Sequence, residues 1–432
     1  MIVQSPSRLR ATLRVPADKS ISHRALILNA IAEGEAHLEN LLDSDDVRST
    51  AACISSLGIA IDWPVGATAA RISGGGLHGL YESEDALNCG NSGTTMRLLT
   101  GLLAAHPLFS VLIGDESLSR RPMGRIIEPL RLMGARISAR RGDTLAPIAI
   151  RGGSLRAIQY EMPVASAQVK SALILAGLTV EGRTRITEPA PTRDHTEKML
   201  AAMGAPVDRE GRSVIIRRPA RLEPLGIRVP GDLSSAAPWL VLGACHSDAE
   251  IKVESVGINP TRTGLLDILK RMGASIELQN EHETSGEPVA DLIVHSSDLH
   301  GVTVQGDDVP RAIDELPLVA LLGCFAQGTT VVREAEELLV KESNRIENVV
   351  TMLSAMGASI KATADGFIVE GPCDLQGARL DAAADHRMGM LGAVAGVLAT
   401  GQTRIENDAV TVSYPDFWEA LEAASPEAAQ TA

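Results

Sequence analysis

Several short stretches combine cations, hydroxyls and carboxylates at spacings that could hold and transform a small anion. In DKSISHR, Lys19, Ser20 and Arg24 bring an ammonium, a hydroxyl and a guanidinium together, with Ser20 and Arg24 four apart and so on one helical face. That set makes an oxyanion socket, although a solvated charged turn reads the same way. GNSGTTMR places Gly90 and Gly93 where a backbone can approach a ligand, with Arg97 one turn later, but it lacks the G-K-[ST] ending of a phosphate loop. Arg120 and Arg121, followed by Pro122, either clamp an anion or solvate a loop. Ser166 and Gln168 offer neutral hydrogen bonds to a sugar-like or cyclitol-like ligand, or cap a helix facing the core.

The second half carries the acid–base candidates. ELLVKESNRIENVV sets Lys341 and Arg345 at i and i+4 with Glu342 between them, a pattern shared with a surface ion-pair helix. Asp314 precedes an apolar helix, as a cap or as a general base. Asp385, His386 and Arg387 open another apolar run, and burying them without a ligand is costly.

No H-E-x-x-H pair, calcium loop or magnesium carboxylate series occurs, so neither a metal nor another cofactor is expected. With phosphate held by Lys and Arg alone, phosphorus need not be the reacting centre, and a phosphate group serves as handle or leaving group. A net charge of -14 opposes a broad nucleic-acid footprint, so any polyanion site must be locally basic. Uncharged apolar runs such as residues 316–326 and 389–400 fall short of the roughly 20 residues that span a bilayer. The N-terminus lacks a secretion-type apolar run, and the five scattered cysteines suit thiols in a reducing compartment, so the cytoplasm is expected.

The elements that must position these groups repeat. LRLMGARI, LAAMGAPV, LKRMGASI and LSAMGASI, with a looser ISSLGIAI, each read as a helix, a glycine stop and a strand. β-rich runs recur from Glu33, Glu181, Ser247, Gln327 and Thr400. Six apolar helical segments, at residues 18–32, 90–104, 164–178, 231–244, 315–326 and 386–399, each begin with small or polar residues. Their spacing is roughly 70 residues, and the 432-residue chain divides into six mixed α/β units. Apolar residues make up 45% but aromatics only 2%, so aliphatic side chains must build the cores, and the length calls for two or three domains. Each helix start could present free N–H groups and a positive dipole end, or be an ordinary N-cap.

Taken in order, DKSISHR, GNSGTTMR, SRRPMG, SAQVKSA, VKESNR and DHRMGM resemble the 5-enolpyruvylshikimate-3-phosphate synthase family across almost the whole chain. The resemblance implies a mixed α/β fold, a two-domain inside-out α/β barrel. Each domain would hold three βαβαββ units, residues 18–229 in one and 1–17 with 230–432 in the other, with a double crossover near 17–18 and 229–231. Helix N-termini would face the cleft between them. It implies transfer of the enolpyruvyl group of phosphoenolpyruvate to the 5-hydroxyl of shikimate 3-phosphate by addition and elimination with C–O cleavage; a monomer is expected. Shikimate 3-phosphate would be held by Lys19, Ser20, Arg24, Ser166, Gln168, Asp314 and Lys341, and phosphoenolpyruvate by Lys19, Gly93, Arg121, Gln168, Arg345 and Arg387. Asp314 would be the base, and Glu342, with Lys19, would protonate C3. Retention of Gly93 implies glyphosate sensitivity. Two departures alter contacts: Val412 stands where some relatives carry Lys, and Ala167 replaces the middle residue of a Ser-Ser-Gln. The UDP-N-acetylglucosamine carboxyvinyl transferases, similar in fold, use a mobile-loop Cys that has no match here, and a silent anion-binding protein would lack need of Asp314 and Glu342. Arg193 either guards the cleft or pairs with a carboxylate.

Overall fold

The computed structural model describes residues 1–424 and 429–430. Among the described residues the strands form six four-stranded sheets. In each, one parallel pair is followed by an antiparallel partner, as where Leu87–Asn88 pairs with Phe109–Ile113 and the latter with Leu145–Arg151. The order within that repeat is strand, helix Gly93–Ala104, strand, helix Gly124–Leu132, then strands Arg136–Ala139 and Leu145–Arg151, a βαβαββ unit.

Two compact units divide the chain: Ala17–Val229 with Thr284–Glu287, and Met1–Pro16 with Pro230–Glu283 and Pro288–Ala432. Each closes on itself through strands distant in sequence. Ile227–Arg228 pairs in parallel with Glu33–Glu39, so the last strand of the first unit completes its first sheet. In the second unit Leu9–Arg14 pairs with Ala249–Gly257, and Ile2–Gln4 with Gln402–Glu406. Thr284–Glu287, the turn between strands Ser275–Thr284 and Glu287–His295, groups with the first unit although those strands belong to the second.

Among the described residues the inner helices are α1 (Lys19–Ala30), α2 (Gly93–Ala104), α3 (Ala167–Gly177), α4 (Leu233–Cys245), α5 (Leu316–Phe325) and α6 (His386–Leu398), and candidate residues lie at or beside the starts of all of these but α4. Nearly every residue of these helices is buried, which explains why their sequences are apolar all round rather than striped. Small residues let them approach. A Cβ on Gly101 would lie 2.2 Å from the Ala172 carbonyl oxygen, so α2 and α3 meet backbone to backbone.

The outer helices are amphipathic and end on glycines in the left-handed region: Gly58, Gly134, Gly204, Gly273 and Gly357 have φ of +90°, +100°, +86°, +92° and +93°. One segment departs from the sequence pattern. Glu336–Val340 is a 3-10 turn and the next helix starts only at Arg345, so Lys341 and Arg345 do not share a helical face. Asn344 caps that helix, accepting from the Glu347 N–H at 3.2 Å, and this stops the helix from extending back to Lys341.

Candidate active site

In the first unit an arginine ties the helix starts together. Arg24, buried on α1, donates through Nε to Thr196 Oγ1 at 2.6 Å, through one terminal nitrogen to the Ser20 carbonyl at 2.9 Å, and through the other to Ser171 Oγ on α3 at 2.9 Å. Burial pushes this guanidinium down to about 10, with Glu197 opposing, so it stays charged at neutral pH. Lys19 Nζ lies 3.1 Å from Asp46 Oδ2 with its side chain 23% exposed, reachable by a ligand. Asp18 caps α1, accepting from the Ile21 N–H at 2.8 Å. Arg193 donates to the Ser20 hydroxyl at 3.3 Å. Behind them His23, pushed down to about 3 by burial, is neutral and lies 2.7 Å from Thr50 Oγ1.

Gly93 opens α2, capped by Ser92, whose Oγ accepts from the Thr95 N–H at 3.1 Å. Arg97 donates to Gln168 Oε1 at 2.6 Å, and Gln168 Nε2 donates to Thr94 Oγ1 at 3.1 Å, which joins the first turns of α2 and α3. Arg121 donates to Asn91 Oδ1 at 2.6 Å. A Cβ on Gly93 would sit 2.8 Å from one Arg97 terminal nitrogen and 3.6 Å from one of Arg121. Two guanidinium groups and a helix N-terminus thus surround a position with no side chain, an anion cradle with open space only because residue 93 is glycine. Ser166 caps α3 at 3.5 Å from the Val169 nitrogen.

In the second unit Asp314 Oδ1 is 3.4 Å from both Lys341 Nζ and an Arg345 terminal nitrogen. Arg345 also contacts Glu342 Oε2 at 2.6 Å and Asp385 Oδ2 at 2.9 Å. Burial alone would push this guanidinium down, but Asp385, Glu342 and Asp314 outweigh it and hold it well above the ordinary value. Four of its five N–H groups point at carboxylate oxygens, the fourth being 3.3 Å from Asp385 Oδ1. Asp385 caps α6, accepting from the Arg387 N–H at 2.9 Å. The Arg387 side chain reaches the Ser234 carbonyl at 3.4 Å and Glu315 Oε1 at 3.7 Å, linking the starts of α4, α5 and α6.

All twelve predicted site residues therefore lie in one of two clusters: Lys19, Ser20, Arg24, Gly93, Arg121, Ser166 and Gln168 in the first unit, and Asp314, Lys341, Glu342, Arg345 and Arg387 in the second. Sequence reasoning gave no role to Asp46, Asn91, Arg262 or Glu315. Asp46 had a signal in DSDD just after strand Glu33–Glu39, whereas Arg262, 2.8 Å from Asp232 and 2.7 Å from Ser234 Oγ, lies in a loop with no local pattern. Val412 sits in a 3-10 turn, Val410–Val412.

Two solved structures of EPSP synthase from Acinetobacter baumannii are similar to this chain. One is 42% identical over 98% of each chain with a TM-score of 0.87; the other is 40% identical over 100% of this chain and 99% of that one, with a TM-score of 0.88. An enolpyruvyl transferase from Streptomyces tendae shares the fold at 17% identity and a TM-score of 0.77, covering 99% of this chain and 97% of that one. The fold is the two-domain α/β architecture of these EPSP synthase structures. A family profile described as EPSP synthase (3-phosphoshikimate 1-carboxyvinyltransferase) matches residues 3–421. Curated relatives called 3-phosphoshikimate 1-carboxyvinyltransferase are 48% identical in Brevibacillus brevis, over 97% of this chain and 98% of that one, and 51% identical in Gloeobacter violaceus, over 96% of each. The chain belongs to the EPSP synthase family.

Proposed function

We propose that the chain transfers the enolpyruvyl group of phosphoenolpyruvate to the 5-hydroxyl of shikimate 3-phosphate and releases phosphate, the step in aromatic amino-acid biosynthesis that its family's name describes. The observation that carries the site assignment is the pair of carboxylates, Asp314 and Glu342, on the shared cation Arg345. Two carboxylates on one guanidinium can divide the work: Asp314 takes the proton of the 5-hydroxyl as its oxygen attacks C2, while Glu342, with Lys19, delivers a proton to C3. The tetrahedral intermediate then expels phosphate as C3 returns a proton to the Glu342 carboxylate, which restores the double bond and the acid. Lys19, Ser20, Arg24, Ser166, Gln168, Asp314 and Lys341 hold shikimate 3-phosphate; Lys19, Gly93, Arg121, Gln168, Arg345 and Arg387 hold phosphoenolpyruvate, Arg345 through its fifth N–H. The acid–base pair and the Gly93 cradle belong to different units, and the chain passes from one unit to the other near residues 17–18 and 229–231, which we propose as hinges. Among the described residues no helix is long and apolar enough to cross a membrane, and with five free cysteines the cytoplasm is the compartment we assign.

Purified protein mixed with both phosphorylated substrates should release phosphate. Release with UDP-N-acetylglucosamine in place of shikimate 3-phosphate, and none with the latter, would overturn the assignment. The Gly93 cradle adds a sharper expectation. Gly93→Ala puts a methyl 2.8 Å from a guanidinium nitrogen already bonded to Gln168, so the Michaelis constant for phosphoenolpyruvate should rise about tenfold. Glyphosate should inhibit the unchanged chain near its phosphoenolpyruvate Michaelis constant and the variant only far above it. Equal inhibition of both proteins in a steady-state titration would remove Gly93 from the site.

A further inference from the structure

Glu315 stands at the N-cap position of α5 beside Asp314, with no side-chain capping bond, is 1% exposed, and has one carboxylate oxygen, Oε2, buried without a hydrogen-bond partner. Burying a carboxylate is costly unless cations and donors compensate it. Its other oxygen accepts from the Ser234 hydroxyl at the start of α4 and faces an Arg387 terminal nitrogen at 3.7 Å. The same Ser234 hydroxyl accepts from Arg262 at 2.7 Å, and Arg262 is held on Asp232 at 2.8 Å. Arg387 Nε is likewise buried without a partner, so the guanidinium is attracted by Glu315 but not saturated by it. That contrasts with Arg345, whose N–H groups are mostly committed to carboxylates.

We infer that Glu315 is a positioning residue: its carboxylate, itself fixed through Ser234 and Arg262, sets the direction of the Arg387 guanidinium and leaves its remaining N–H groups for the anionic end of phosphoenolpyruvate. A saturated arginine could not accept the ligand without breaking bonds, and an arginine with no counter-charge would lose its orientation to solvent. Glu315 touches no substrate in this scheme, and the inference rests on the enolpyruvyl-transfer reading above.

Glu315→Gln keeps the shape and an acceptor for Ser234 but removes the charge. It should raise the Michaelis constant for phosphoenolpyruvate about tenfold, leave that for shikimate 3-phosphate within about twofold, and change kcat less than either limit. Glu315→Asp should recover part of the loss. In an Arg387→Gln background the Glu315→Gln substitution should add nothing further, because the two act through one contact. Equal rises in both Michaelis constants, or additive effects in the double variant, would mean that Glu315 merely supports the fold. Calorimetric titration of phosphoenolpyruvate with shikimate 3-phosphate present keeps the two readings separable. A wild-type chain that binds phosphoenolpyruvate but never turns it over sinks the reaction, while the binding ratio between wild type and Glu315→Gln still decides the role of Glu315. A ratio of one overturns it.

Discussion

Asp314→Asn is expected to lower kcat about a thousandfold while leaving both Michaelis constants within about threefold, the size of effect that follows loss of a general base. The substitution keeps the shape of the side chain and an oxygen that Lys341 and Arg345 can still approach at 3.4 Å, so ligand binding on those cations persists. What disappears is the carboxylate basicity that, in the proposed mechanism, takes the 5-hydroxyl proton as carbon–oxygen bond formation begins. The cap position of α5 belongs to Glu315, and Asp314 Oδ1 faces the two cations Lys341 and Arg345. Steady-state phosphate release and a single-turnover measurement separate the outcomes. A kcat within about tenfold of the wild type would transfer the base role elsewhere, with Glu342 as the next carboxylate on the same arginine.

Much of this architecture is written locally in the chain, and the boundary of what is legible follows from which interactions are local. A helix stop needs only its own glycine: Gly134, Gly204, Gly273 and Gly357 all take the positive φ that their repeated Met-Gly context announces. The inner helices are equally plain, because a segment such as LPLVALLGCF, apolar on every face, can only be buried. Where the pattern misleads, a second local signal competes with it. Lys341 and Arg345 have helical spacing, but Asn344 followed three residues later by Glu347 is a capping arrangement, and the cap wins because it satisfies N–H groups that an uninterrupted helix would not need to free. Two-residue strands such as Ile227–Arg228 carry no periodicity; their partner strands, far away in sequence, define them. The same holds for the counter-charges. DKSISHR shows a lysine, but that Asp46 stands 3.1 Å from it follows from how two helices pack, and no spacing encodes that.

The largest stability effect is expected away from the reacting groups, at Lys170 in SAQVKSA. Its ammonium is fully buried, 3.0 Å from Glu188 and 2.7 Å from Glu197, and it donates to the Thr192 carbonyl at 3.3 Å. Glu188 also accepts from the Thr192 backbone and hydroxyl and is approached by Arg209 at 3.5 Å. Lys170→Met fills a similar volume but leaves two carboxylates in the interior without their main counter-charge, at a cost of about 3–5 kcal/mol. Thermal unfolding of the first unit should therefore move down by roughly 10 °C. The cost reaches the site through one residue of separation: Ser171 and Thr196 flank Lys170 and Glu197, and both bond Arg24. Phosphoshikimate binding should accordingly weaken at temperatures where the variant is still folded. Adding Glu188→Gln and Glu197→Gln removes the stranded charges, so the triple variant should recover most of the lost midpoint even though it has fewer ion pairs than the single one. If the triple variant unfolds at the same temperature as Lys170→Met, the loss comes from packing around the lysine stem, and the buried triad is not what joins α3 to the helix His195–Ala202 beneath Arg24.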